Sequence, residues 1–424
     1  MNGGARSDRR SFLRGAGLMG AAAMSPGAAI AAEQAKVPAH PDFRIVRVEA
    51  TALSTREPFE YGGVKKTAGA VATYVEVETA GGLIGHGLTT LIDAGEVADL
   101  TNHVAARLVI GENALNNAAI WDKLYWALSP RGQTGYPGHV MGAIDIALWD
   151  LKGKAAGLPI ATLLGGRRPK VPAYVTFGPA FLNRDELVAV AKAMVVQGFG
   201  GLKMVVGANA LQRRDSRSIE DVVREDIARV RAVREAVGPG PQLYIDGNCS
   251  LDLPSAERLV AGVKDYDIQF FEEPLTQNDV LLMAELRRRT GVRVAAGQNE
   301  TLAFRFRDML LHDAVDYCQP NVMMAGGYTQ AIKIAGMAEA FNVAVESGGA
   351  GPLQNLHFHA AVSNGGHCEW HLQWMPLNRR IYHNMPEPVG GMLAVPDLPG
   401  LGFEPDRAAI KALAVRPGAG GGEG

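Results

Sequence analysis

Three runs in this sequence decide its fold: Leu243-Tyr-Ile-Asp246-Gly-Asn248, Gln269-Phe-Phe-Glu272-Glu273-Pro274 and Val292-Arg-Val-Ala-Ala-Gly297-Gln298-Asn299-Glu300. Each is a short apolar segment that ends in acidic or amide side chains. Asp246, Glu272 and Gln298 follow one another at intervals of 26 residues, about one strand and one helix. Because parallel strands carry their chemistry at their carboxyl ends, we expect these three side chains to converge. The alternative is that turns after strands are simply polar.

The same spacing continues on both sides of these runs. Strand-like segments begin at Val171 and Gly201, and further strand candidates end near Asn321, Glu346 and Glu369. This gives eight strands that alternate with helical segments. The pattern predicts a closed β/α barrel over residues 171–385 rather than an open sheet.

The residues before the barrel follow a different pattern. They contain three strand candidates and then three helical patterns, which are Phe43–Leu53, Ala70–Thr79, Leu83–Thr90, Ala94–Leu108, Asn113–Trp126 and a stripe from Gly138 to about Gly157. We predict an α+β capping domain over residues 43–170. The segment 386–424 contains a stretch, Gly391–Gly402, that is too rich in Gly and Pro for a barrel element, and we expect it to return to the capping domain.

The amino-acid composition of the chain limits the classes of protein to which it can belong. The chain has 424 residues, 47% of them hydrophobic, and a net charge of −2, which suits a two-domain protein with a large core. The balanced charge argues against nucleic acid or an anionic membrane as a partner. The three cysteines are far apart in sequence, which favours buried thiols over disulfides or a zinc site.

The amino terminus predicts export. Arg9-Arg10-Ser11-Phe12-Leu13 precedes a weakly apolar run from Gly15 to Ala32, with Ala29-Ile-Ala31 as a cleavage site. Residues 1–32 therefore look like a twin-arginine signal peptide, which predicts a periplasmic location. The alternative is a chance Arg-Arg pair in a polar tail.

Further motifs carry a family resemblance. They are Ala143-Ile-Asp-Ile-Ala-Leu-Trp-Asp-Leu-Lys-Gly-Lys154, Leu163-Leu-Gly-Gly166, Ile245-Asp-Gly-Asn248, Phe271-Glu-Glu-Pro274, Gln319-Pro-Asn321, Gly326-Gly327 and Pro396-Asp-Leu-Pro-Gly-Leu-Gly402. Together they resemble the enolase superfamily, in its mandelate racemase, muconate lactonizing enzyme and acid-sugar dehydratase branch. The resemblance implies a modified barrel under a capping domain, one Mg²⁺, and a small carboxylate substrate that loses its α-proton to give an enediolate. It also implies a homo-oligomer.

The resemblance assigns two of the three metal ligands and leaves the third open. Asp246 and Glu272 match two carboxylate ligands, and such oxygen ligands suit Mg²⁺. The third position, normally Glu, is Gln298, whose carbonyl oxygen can coordinate but brings no charge. Glu300 could replace it if the residues alternate as in a strand.

The acid/base residues depart further from the family. Of the Lys-x-Lys pair on the second barrel strand only Lys203 is present, because the second position is Val205. The Asp and His of the family's dyad are replaced by Asn321 and by Gly348 or Gly349. Neither standard base is therefore present.

The remaining catalytic candidates are Lys203, Glu346 and Glu369. Lys203 could anchor the substrate or act as a base, Glu369 matches a carboxylate that assists substrate binding, and Glu346 could be a structural group in a Gly-rich loop. The predicted substrate contacts are Tyr61, His139, Asn248 and Asn321, of which Tyr61 and His139 have a capping role as the alternative.

The sequence thus predicts a Mg²⁺-dependent lyase that removes the α-proton and the β-hydroxyl of a sugar acid. One alternative is a racemase, epimerase or cycloisomerase that acts through the same intermediate. The other is a non-catalytic ligand-binding protein that has kept the pocket and lost the bases.

Overall fold

The computed structural model describes residues 42–207 and 217–415. The signal-peptide prediction for residues 1–32 lies outside the described residues. No helix within the described ranges is long and apolar enough to cross a membrane.

The capping domain begins with a three-stranded antiparallel sheet. Its strands are β1 (Ile45–Tyr61), β2 (Val64–Thr79) and β3 (Ile84–Thr90), in that order. The predicted sheet is confirmed, although β1 and β2 are longer than expected and pair as far as Tyr61 and Val64. Gly62 and Gly63 form the tight turn between them, with φ angles of 59° and 81° that favour glycine.

Five helices follow the sheet. They are α1 (Ala94–Leu100), α2 (Ala106–Val109), α3 (Asn117–Gly132), α4 (Tyr136–Ala156) and α5 (Ile160–Leu163), with a π-helical turn, Thr101–Ala105, between the first two. Helix α4 lies between the sheet and the barrel and is apolar on most of its surface. A Cβ atom on Gly87 would lie 2.0 Å from the Ala143 carbonyl oxygen, and one on Gly142 would lie 2.4 Å from the Met323 carbonyl oxygen. These glycines let the helix approach both layers.

The barrel alternates eight parallel strands with helices. In chain order they are β4 (Lys170–Gly178), α6 (Arg184–Val196), β5 (Gly201–Val205), α7 (Ile219–Val237), β6 (Gln242–Asp246), α8 (Leu253–Val263), β7 (Ile268–Glu272), α9 (Val280–Thr290), β8 (Val294–Ala296), α10 (Ala303–Leu311), β9 (Tyr317–Cys318), α11 (Tyr328–Ala340), β10 (Ala344–Val345), α12 (Pro352–Ala361) and β11 (Cys368–His371). Neighbouring strands pair in sequence order, and β11 pairs with β4. A parallel bridge between Val345 and Gly365 joins the last two strand segments. The predicted capped β/α barrel is confirmed.

The barrel interior has an aromatic lower layer. Tyr174, Tyr244 and Phe270 pack against one another with Ala295, and Tyr317 adjoins them. Side chains two residues further along the strands face the same side, nearer the carboxyl ends. The aromatic layer therefore forms the floor on which the polar side chains of the rim rest.

The described part of the chain ends with α13 (Met375–Ile381), β12 (Tyr382–His383), β13 (Met392–Ala394), β14 (Glu404–Pro405) and α14 (Arg407–Leu413). The expectation that Gly391–Gly402 contains no barrel element is wrong for β13, which pairs antiparallel with the first residues of β4. The first residues of β4 extend beyond the neighbouring parallel strands, so their edge is free to pair with β13. Further on, Leu401 binds Asp150 of α4 and Val415 binds Ala52 of β1.

Candidate functional site

The centre of the site is a buried ion cluster around Lys203, at the carboxyl ends of the barrel strands. Its Nζ lies 2.7 Å from Glu272 Oε2, 2.9 Å from Glu369 Oε1 and 3.3 Å from Asp246 Oδ2. The side chains of Lys203 and Glu272 are completely buried. Four strands, β5, β6, β7 and β11, thus bring one cation and three carboxylates together. The ring of Tyr174 lies beneath the ammonium group at 5.3 Å.

This cluster fixes the protonation state of Lys203. Burial alone would lower its pKa, but the carboxylates of Glu272, Glu369 and Asp246 outweigh burial and raise it. The lysine is therefore a cation at neutral pH, suited to hold a substrate carboxylate and not to act as a base. Of the two roles that the sequence left open for Lys203, the geometry favours the anchor.

One ammonium group does not neutralise three carboxylates. Burial and repulsion from Asp246 raise the pKa of Glu272 well above its usual value, and burial also raises the pKa of Asp246. Glu272 Oε1 is buried and has no hydrogen-bond partner among the described residues. Burial and the neighbouring carboxylates thus disfavour the ionised form of Glu272, which keeps an oxygen atom free to bind a cation.

Gly348 lies close to this free oxygen. A Cβ atom on Gly348 would lie 3.0 Å from Glu272 Oε1 and 3.1 Å from the Cβ atom of Gln298. Gly348 or Gly349 is the position at which the resemblance places the histidine of the family's dyad. The lack of a side chain at Gly348 therefore lets the loop after β10 approach Glu272 and Gln298, the two neighbouring ligand candidates, closely.

Gln298 is oriented by a buried carboxylate. Its Nε2 donates to Glu273 Oε2 at 2.9 Å and lies 3.4 Å from Asn248 Oδ1. Asn299 Nδ2 donates to the same Glu273 oxygen at 2.5 Å. Because the amide nitrogen of Gln298 is held by Glu273, its Oε1 is directed elsewhere and is free to act as a ligand.

Glu300 does not serve as the alternative third ligand in this structure. Its carboxylate forms two bonds with Arg305, of 2.8 and 3.1 Å, and accepts from Asn278 Nδ2. Strand alternation had placed Glu300 beside Gln298. However, β8 ends at Ala296 and the chain turns, with the Glu300 amide donating to the Gly297 carbonyl. The alternating orientation of side chains along a strand therefore does not extend to Glu300. Among the described residues, no group of three His, Cys, Asp or Glu side chains is arranged to hold a metal ion.

Glu369 lies where the sequence predicted, but its oxygens are fully engaged. Oε1 accepts from the hydroxyl of Thr176 and contacts Lys203, and Oε2 accepts from the backbone amide of Ala350 at 2.8 Å. Burial raises its pKa, but Lys203 and these donors outweigh burial and lower it. Glu369 is thus an ionised group that positions Lys203.

Glu346 is not part of the cluster, which corrects its assignment as a catalytic candidate. Its carboxylate accepts from the backbone amide of His367 at 2.7 Å and lies 3.2 Å from Nδ1 of the same residue. The charge of Arg168, which precedes β4, also acts on it. These neighbours belong to the amino-terminal end of the barrel. Glu346 therefore faces the barrel interior one layer of side chains below the Lys203 cluster.

The two asparagines predicted to contact substrate differ in their burial and in the groups that they bind. The Nδ2 of Asn321 donates to the carbonyls of Gly348, Gly349 and Ala350 at 2.7 to 3.1 Å, and its Oδ1 accepts from Asn355. Asn321 therefore holds the loop after β10. Asn248 is exposed beside the cluster, and its backbone amide donates to Asp246 Oδ1.

Tyr61 and His139 hold the capping domain to the barrel. The Tyr61 hydroxyl donates to the Leu372 carbonyl at 3.3 Å, just after β11. His139 Nδ1 lies 2.6 Å from the Thr89 hydroxyl, which donates to the Met323 carbonyl. Burial lowers the pKa of His139 to about 4, so its ring is neutral. Neither side chain contacts the Lys203 cluster, so the capping role that the sequence left open is the one observed.

Sequence reasoning missed His371. It ends β11, two residues beyond Glu369, so the two side chains share a face of the strand. Its Nδ1 is enclosed and has no hydrogen-bond partner among the described residues, although the ring is partly exposed. Burial lowers its pKa to about 4, against the opposing charge of Glu369. The period-two pattern of the strand was the signal that could have identified it.

Known proteins share this architecture. Residues 45–165 match the family model described as mandelate racemase / muconate lactonizing enzyme, N-terminal domain, and residues 186–409 match the model described as enolase C-terminal domain-like. An arabinonate dehydratase of Saccharolobus solfataricus is 31% identical over 77% of this chain and 86% of its own length. A 3,6-anhydro-alpha-L-galactonate cycloisomerase of Streptomyces coelicolor is 30% identical over 80% of this chain and 91% of its own length.

A solved enzyme structure also shares this architecture. The L-talarate dehydratase from Polaromonas sp. JS666, complexed with Mg and L-glucarate, superimposes with a TM-score of 0.74 and 30% identity, covering 88% of this chain and 98% of that one. The related proteins are thus dehydratases and cycloisomerases of small acids. By its two matched domains and these relatives, the chain belongs to the mandelate racemase / muconate lactonizing enzyme branch of the enolase superfamily.

Proposed function

We propose that this protein is a Mg²⁺-dependent dehydratase of a sugar acid, removing the α-proton and the β-hydroxyl of its substrate. The observation that carries this proposal is the buried Lys203 cation among the carboxylates of Asp246, Glu272 and Glu369. A lysine cation recognises a carboxylate, and the carboxylates that outnumber it favour the binding of a second cation.

The residues fit Mg²⁺. Asp246 and Glu272 supply charged oxygens, and Gln298 supplies an amide oxygen that Glu273 leaves free. The unpartnered Glu272 Oε1 supports the same assignment. When bound, Mg²⁺ supplies positive charge that stabilises the negative charge developing on the substrate carboxylate as the α-proton leaves. Lys203 holds that carboxylate, and Glu369 holds Lys203.

Dehydration fits the residues better than racemisation does. Racemisation needs a base on each face of the α-carbon, whereas elimination needs one. Val205 and Gly348 replace both standard bases of the family. The same replacements favour a second candidate, a ligand-binding protein that does no chemistry.

The function is tested with five- and six-carbon aldonates and aldarates, including arabinonate and glucarate. With Mg²⁺, at least one acid should raise Tm, lose water to give the 2-keto-3-deoxy acid, and exchange its α-proton in D₂O, as followed by NMR. EDTA should abolish turnover and added Mg²⁺ should restore it. Stabilisation with neither exchange nor dehydration would leave the ligand-binding candidate, and exchange without dehydration would indicate an isomerase.

Gln298→Glu tests the metal site. A third carboxylate should raise the affinity for Mg²⁺ roughly tenfold, since affinity rises with the ligand charge. Without metal, the new carboxylate faces Glu273 and should lower Tm, because the bond from Nε2 is lost. Calorimetric titration and melting curves measure both effects.

Gln277→Glu is the matched control, because it makes the same chemical change at an exposed residue of a nearby loop and should leave the affinity unchanged. Equal affinity in wild type and Gln298→Glu would exclude residue 298 from the metal shell.

We also propose that the protein is exported to the periplasm, on the basis of Arg9 and Arg10 and the run that follows them. Residues 1–40 fused to a folded reporter should carry it to the periplasmic fraction of a bacterium. The double variant Arg9→Lys and Arg10→Lys should keep it in the cytoplasm, and equal export of both fusions would exclude the twin-arginine route.

A further inference from the structure

The site lacks the standard bases of its family, so another group must accept the α-proton. The described residues exclude most candidates. Lys203 Nζ is paired with three carboxylates, and both oxygens of Glu369 are engaged. Glu346 is bound to His367 at the other end of the barrel, and His139 is bound to Thr89 beneath the capping domain.

We propose that His371 is the proton-transfer residue of the reaction, a role that rests on the dehydratase function proposed above. It takes the place of the bases lost at Val205, Asn321 and Gly348.

The position of His371 fits this role. It is paired with Thr176 of β4, whose hydroxyl donates to Glu369, and it lies two residues nearer the barrel mouth than Glu369. A substrate whose carboxylate is held at Lys203 extends from there towards the mouth. His371 therefore lies on the mouth side of Glu369, towards which such a substrate extends.

The bonding and protonation state of the His371 imidazole also fit a role in proton transfer. No other side chain ties its Nδ1 to a structural role, in contrast to His139 and His367. The charged groups that act on it are Glu369 and Lys203. Burial keeps its pKa below neutrality, so the imidazole carries a free electron pair at neutral pH.

One residue suffices for the whole elimination. An imidazole nitrogen takes the proton from C2, and the C–H electron pair becomes the second bond of the enediolate. That pair then forms the C2–C3 double bond while the C3–O bond breaks. The imidazolium returns its proton to the departing hydroxyl, which leaves as water. Because one group serves both steps, the proton and the hydroxyl leave from the same face, and no other reactant is needed.

The test compares wild type with His371→Asn and His371→Ala, using arabinonate, glucarate and their 3-deoxy analogues. The analogues have no hydroxyl to lose, so α-proton exchange in D₂O reports proton abstraction alone. Both variants should lose exchange and dehydration by at least roughly 100-fold, the lower range for a general base. The stabilisation by Mg²⁺ and by the acids should persist, which shows that the variants fold and bind. Imidazole added to His371→Ala should restore part of the exchange.

His383→Asn serves as the control, because it removes an exposed imidazole beyond the site, and its rates should equal those of wild type. Exchange at the wild-type rate in His371→Asn overturns the role of His371 and leaves the dehydratase function standing. No exchange of any of these acids by the wild type overturns both proposals. Loss of exchange without rescue by imidazole, together with loss of acid binding, also overturns the role, because it marks His371 as a structural or binding group.

Discussion

The structure of the site depends on one constraint, the burial of a lysine ammonium among three carboxylates. Lys203 is enclosed by side chains from three other strands and has no access to solvent. A buried ion pair that loses one partner destabilises a protein by roughly 3–5 kcal/mol, so the four groups are interdependent. The arrangement holds the lysine in its charged form. It also leaves Glu272 Oε1 without a hydrogen-bond partner among the described residues, which makes the site receptive to a divalent cation.

The rest of the fold presents this cluster to a small acid. The aromatic layer of Tyr174, Tyr244 and Phe270 closes the barrel beneath it. The capping domain reaches the upper rim, where Tyr61 binds the segment after β11 and α4 packs against the loop after β9. Between these layers, Gly348 lets the loop after β10 pack closely against Glu272 and Gln298.

Much of the fold and part of the site could be predicted from the sequence. The 26-residue interval between Asp246 and Glu272 reflects one strand-helix unit, so their convergence follows from parallel pairing. Glu300 could not be placed, because the chain turns at Gly297, and alternation holds only within a strand. Glu346 faces inward as expected, but the depth of a side chain in a barrel depends on strand stagger, which sequence spacing does not reveal. The pairing of β13 with β4 depends on an edge that exists only in the folded barrel.

The central claim is that the carboxylates around Lys203 bind a divalent cation with the help of Gln298. The most direct measurement is anomalous diffraction from crystals soaked in Mn²⁺, which accepts the same oxygen ligands as Mg²⁺. We expect one anomalous peak in contact with Asp246, Glu272 and Gln298. Strong diffraction with no peak there, and Lys203 as the sole cation among the carboxylates, would contradict the claim.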